Sequence, residues 1–238
     1  MSDYHRSSTM TRGRIIALTV GALILVALGI VAGLAFNGND ETSASPGRST
    51  PTPAQTPPPS SSACGLPDGD QTIPTSAPTS EWSMSHRMAA PSARPYGPMR
   101  SRGGIHACFA HNPVGALFAA ANVAADSGNP DLAFKNLAEQ RFVHDANYQA
   151  QRKDLDKNPP ANGGLQYAGF RIDNYSPEAA TIQLVVRATE GPNTGGLIAI
   201  TYTMRWTNGD WRLALPPAGA SISNPLTSLD GYVEWSGT

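Results

Sequence analysis

Apolar positions obey three successive rules along this chain, and each rule predicts a different kind of element. From Ile15 to Phe36 they run without a charged residue. A helix rises about 1.5 Å per residue, so such a run is long enough to cross a hydrocarbon core about 30 Å thick. Arg6, Arg12 and Arg14 precede it, and Asp40 and Glu41 are the first charges after it. The positive-inside rule then predicts a cytoplasmic tail at 1–14, a transmembrane helix at 15–36 and export of everything beyond. Small residues at Gly33-Leu34-Ala35 also suit a cleaved signal. Signal cores, however, span about 7 to 15 apolar residues, and this run exceeds them, which favours a retained anchor.

The second rule is absence of any period. Residues 37–80 are dominated by Ser, Thr, Pro and Gly, with Pro57-Pro58-Pro59 at the centre. Such composition buries too little apolar surface to offset its ordering entropy, so a disordered tether is expected, reaching on the order of 100 Å. The third rule governs 81–238, one domain in length. Residues 81–104 read as a transition. Pro91, Pro95 and Pro98 forbid a long helix there, and a solvated loop draped over the domain is expected.

Helical spacing begins at Asn112-Pro113, a capping Asn followed by Pro in the first turn, and stops at Gly128. Asn129-Pro130-Asp131 repeats the start signal for a bulkier helix carrying Leu132, Phe134, Leu137, Phe142 and Val143. A polar stretch from Asp145 to Lys157 extends as a third. After Gly163-Gly164 the period shortens to that of strands, at about 165–174, 179–189, 197–207 and 210–215. Asn208-Gly209 is a two-residue hairpin turn in which both positions take positive φ. Its register sets Trp206 opposite Trp211, Met204 opposite Leu213 and Tyr202 opposite Leu215 on one buried face. Two or three helices on a four-stranded antiparallel sheet make an α+β domain. Tyr232 and Trp235, in an otherwise irregular tail, are expected to fold back on it.

Charge and chemistry narrow the function. Net charge is −1, so no strong field recruits nucleic acid, and none is expected as a partner. The two cysteines, Cys64 and Cys108, both fall on the exported side, where an even count favours a disulfide. Arg87, Arg94, Arg100 and Arg102 have no acidic neighbour after Glu81; a basic arm contacting anionic polymer or lipid is the alternative to the solvated loop, which is favoured. His106, Cys108 and His111 lie within six residues, but a structural zinc needs four ligands and no fourth is nearby. No metal or other cofactor is expected. Gly-x-Ser-x-Gly and HExxH patterns are missing, and Asp126, Asp145 and Asp173 read as caps or surface residues, so no enzymatic activity is expected.

The closing segment Tyr202-x-Met204-x-Trp206-Thr207-Asn208-Gly209-Asp210-Trp211-Arg212-Leu213 resembles the final hairpin of the cone-shaped nuclear-transport-factor-two-like fold. The pieces Phe109-Ala110-His111-Asn112-Pro113-x-Gly115-Ala116, Ala119-Ala120-Ala121-Asn122 and Gly231-Tyr232-Val233-Glu234-Trp235-Ser236-Gly237 resemble uncharacterised actinobacterial single-pass membrane proteins linked to conjugative or integrative elements. One-pass proteins with the cone fold outside the membrane are similar to the scaffold subunit of type IV secretion systems. That likeness implies a non-enzymatic, membrane-anchored extracytoplasmic scaffold or interaction protein of a cell-envelope assembly, with envelope proteins or a second copy as partners. The alternative is a module for a small ligand or cell-wall fragment, using a cone cavity lined by Tyr167, Phe170 and Trp206.

Overall fold

The computed structural model describes residues 62–155 and 164–237. The predicted tail 1–14, the apolar run 15–36 and the tether as far as residue 61 lie outside the described residues. Among the described residues, no helix is long and apolar enough to cross a membrane.

Helix α1 (Pro113–Ser127) begins where its capping signal lies. The Asn112 side chain accepts from the Gly115 N–H at 2.7 Å, and the helix ends at Gly128. Every residue from Pro113 to Asp126 is buried, so α1 is a central helix rather than one with a wet face. Its alanines let neighbours approach closely from several directions. Part of its surface meets the main sheet. Two hairpins, β1 (Glu81–Ser85) with β2 (Met88–Ser92) and β3 (Arg100–Arg102) with β4 (Ile105–Ala107), cover more of it. The draped loop expected at 81–104 is therefore corrected to paired strands. Their short runs hold Pro91 and few β-formers, so packing against α1, with Met88, Ala90 and Ile105 buried, selects the strand conformation.

Helix α2 (Phe134–Arg141) starts later than its sequence signal. Asn129 instead closes a turn, accepting from the Asp131 N–H at 2.8 Å, and is thereby spent. Helix α3 (Ala146–Leu155) is capped by Asp145, whose carboxylate accepts from the Tyr148 N–H at 3.1 Å.

Four antiparallel strands follow: β5 (Leu165–Ser176), β6 (Ala179–Ala188), β7 (Leu197–Thr207) and β8 (Asp210–Ala214). The β7–β8 register pairs Trp206 with Trp211 and Met204 with Leu213. Asn208 and Gly209 turn with φ of 56° and 76°, which only a residue tolerant of the left-handed region adopts cheaply. Strand β8 stops at Ala214, one position short of the Tyr202–Leu215 pair. The expected four-stranded, cone-like layout is overturned by two further strands. β9 (Ser223–Leu226) pairs with β7, and β10 (Val233–Glu234) pairs with β5, giving a six-stranded antiparallel sheet ordered β10-β5-β6-β7-β8 with β9 beside β7. These additions are too short for a period, and β9 carries Pro225; only docking against a preformed edge defines them.

Cys64 and Cys108 form the disulfide favoured for an exported chain, with Cα atoms 5.7 Å apart. Closing that loop removes unfolded-state entropy equivalent to about 4 kcal/mol. It also draws the end of the Pro/Ser/Thr stretch onto the body. Ser62 and Leu66 are buried, and Asn112 Nδ2 donates to the Asp68 carbonyl at 2.7 Å.

Candidate functional site

Beside the bridge, Asp210 organises the chain entering α1. Its carboxylate accepts from the Cys108 and Phe109 N–H groups at 2.9 and 3.1 Å and from Arg141 Nη1 at 2.5 Å. Arg141 also donates to the Trp211 carbonyl at 2.7 Å and lies over the Phe109 ring. This buried charge pair, bonded through both terminal nitrogens of Arg141 while its Nε is left without a partner, fixes three segments together.

The same framework disperses His106, Cys108 and His111. Cys108 is bridged. His106 Nδ1 lies 2.7 Å from Asp126 Oδ1, and the other Asp126 oxygen accepts from the His106 N–H at 2.8 Å. The Ser85 hydroxyl donates to Asp126 as well, at 3.3 Å. His111 stacks on Trp206, 4.0 Å between centroids and 12° from parallel, while its Nε2 meets the Pro177 carbonyl. Among the described residues, no group of three or more metal-ligating side chains converges. Asp126, Asp145 and Asp173 are likewise held apart: one pairs with His106, one caps α3, and one accepts from Arg171 and Gln183 on the surface.

A concave feature lies at the start of β5. There the segment Ala77–Ser80, strand β1, the start of β5 and the closing tail surround a groove of about 650 Å³. Trp82 and Trp235 form its aromatic floor, with ring centroids 4.9 Å apart, and Tyr167 sits 6.0 Å from Trp82. Gln166 and Arg187, directly paired across β5 and β6, make one wall, and Glu234 of β10 stands on another. Three of the lining residues are pinned. Trp235 Nε1 donates to Ser80 Oγ at 3.0 Å, Gln166 Nε2 donates to the Gly237 carbonyl at 2.6 Å, and the Tyr167 hydroxyl donates to the Ala121 carbonyl at 2.6 Å. Full burial, and secondarily Tyr202 and Asp126, push the Tyr167 hydroxyl well above its ordinary pKa, so it acts as a fixed donor rather than an acid. Gly169 lets the tail come this close; a Cβ there would stand 2.8 Å from the Val233 carbonyl oxygen.

Of the residues expected to line one cavity, Tyr167 borders this groove. Phe170 is wholly buried in the core against Trp235, and Trp206 stacks on His111 elsewhere on the sheet. They do not share a cavity. Trp82, Gln166, Arg187 and Glu234 escaped sequence reasoning because they meet only when the two ends of the domain do. The sole signal was the presence of isolated tryptophans in segments with no period.

A family model described as a domain of unknown function, DUF8175, matches residues 44–234, and the chain belongs to that family. No curated protein and no solved structure matches it.

Proposed function

We propose that this DUF8175 protein is an extracytoplasmic interaction module of the cell envelope, held at the membrane through its N-terminal apolar run and engaging an envelope protein through the Trp82–Trp235 groove. The groove carries the proposal. Its half-buried Trp82 backed by the buried Trp235, and its exposed Arg187 and Glu234 rim, resemble the aromatic core and polar border of protein interfaces. The Cys64–Cys108 bridge supports an oxidising, exported setting. The likeness of Phe109–Asn122 and Gly231–Gly237 to actinobacterial proteins linked to conjugative elements supports a place in conjugative secretion, as a scaffold rather than an enzyme.

In-cell crosslinking tests this directly. A photoreactive residue replacing Arg187 is expected to yield adducts with an exported envelope protein or a second copy of this chain. The same residue at Asn224, exposed on β9, is expected to yield none. Adducts to cell-wall glycan instead of protein would move the groove to the ligand-binding alternative, which its polar wall of Gln166, Arg187 and Glu234 favours. No adduct specific to position 187 would end both readings.

A further inference from the structure

The layer built by the two hairpins is chemically one-sided. From Trp82 to Ala125 the chain contains no aspartate or glutamate, yet it contains Arg87, Arg94, Arg100 and Arg102. All four are exposed: Arg87 in the β1–β2 turn, Arg94 in the bend beyond β2, Arg100 and Arg102 on β3. Acids adjoining this layer do not neutralise them. Asp126 is buried and held by His106 and Ser85, Asp131 faces His86 at 3.8 Å, and Glu81 stands at the start of β1. In a chain whose net charge is −1, the two hairpins thus carry positive charge that no acidic residue of their own offsets beyond Glu81.

The same layer exposes apolar side chains. Among the described residues three large hydrophobic side chains are exposed, and two of them belong here: Met84 at 68% and Met99 at 53%. Met84 precedes Arg87 by three residues, and Met99 adjoins Arg100. A hydrated polyanion such as nucleic acid would accept the arginines but would gain nothing from the methionines. A bilayer interface uses both, with anionic headgroups for the guanidinium groups and the acyl boundary for the thioethers.

We infer that the hairpin layer docks on the anionic lipid surface of the membrane. Residues 37–61 are all that separate the apolar run from Ser62, and fully extended they span at most about 90 Å. That leash keeps the layer at a high local concentration over the bilayer. The inference rests on the membrane anchoring proposed above but does not use the groove, so it stands or falls independently of the partner proposed there.

The test uses the full chain in vesicles of phosphatidylcholine alone or of equal parts phosphatidylcholine and phosphatidylglycerol, both containing brominated lipid. A fluorophore on Met99→Cys is expected to be quenched in the mixed vesicles and not in the neutral ones, and high salt is expected to relieve the quenching. The same fluorophore on Asn224→Cys is expected to stay bright in both. Each Arg→Gln change at 87, 94, 100 or 102 is expected to lower the ratio of docked to undocked protein about fivefold. These arginines are exposed, so their removal leaves the circular dichroism and the disulfide intact. Equal quenching in the two vesicle types, full quenching in the quadruple Gln variant, or a response of Met99→Cys to duplex DNA but not to lipid would each overturn the inference. Flotation with neutral vesicles reads the N-terminal anchor separately.

Discussion

A single carboxylate shows how much one residue organises. Asp210 opens β8, immediately after the Asn208-Gly209 turn, and reaches across to the two N–H groups beside the disulfide and to Arg141. Asp210→Ala strands the Arg141 guanidinium, which is 2% exposed, with no counter-charge. Breaking a buried pair by removing one partner costs about 3–5 kcal/mol. Urea unfolding is expected to show a loss of that size. Adding Arg141→Met to Asp210→Ala is expected to recover part of it, because the orphaned charge leaves with its partner. A loss below about 1 kcal/mol in the single variant would mean that water reaches Arg141 freely.

At the scale of elements, the closing tail behaves as a latch. β10 contributes only two paired residues, so its ladder alone cannot hold it. Its hold comes from Trp235, buried among Trp82, Phe118, Tyr167 and Phe170. Gly237 follows it so closely that a Cβ there would stand 2.6 Å from the Trp82 ring. Trp235→Ala is expected to cost about 3–5 kcal/mol. For a domain of this size that lowers Tm by roughly 10 °C. The variant is also expected to dismantle the groove, so the crosslink from position 187 should disappear at temperatures where the fold persists. Retention of the crosslink would show that the tail does not shape that surface.

For the whole molecule, the layers bury the Tyr167 and Tyr202 phenols and partly bury Tyr175, and this sets an alkaline limit. Burial pushes the Tyr167 and Tyr202 hydroxyls well above their ordinary range. Tyr175 rises to about 12, first through burial and then through the Asp68 and Glu178 charges. A phenol with a raised pKa in the folded state contributes stability that is complete below pH 10, its unfolded value, and is lost as pH climbs through the folded one. The protein is therefore expected to keep its stability through neutral pH and to lose it between about pH 10 and 12. Tyrosinate absorbance followed alongside circular dichroism checks this. Part of the tyrosine signal should appear only together with unfolding, whereas titration of all seven tyrosines near pH 10 in a folded protein would contradict the burial.

Much of this architecture was legible locally. The cap and stop of α1, the four long strands and the Asn208-Gly209 register follow from preferences acting within a few residues, namely side-chain capping, two-residue alternation and positive φ. The Cys64–Cys108 disulfide followed from the even cysteine count. What the sequence could not disclose depends on partners remote along the chain. Hairpins β1–β2 and β3–β4 are strands because α1 supplies their buried side. β9 and β10 exist because longer strands offer them an edge. The groove exists because Trp82 meets Trp235 more than a hundred residues later. Such contacts repay their loop-closure cost only when the whole core has assembled, so no local pattern announces them.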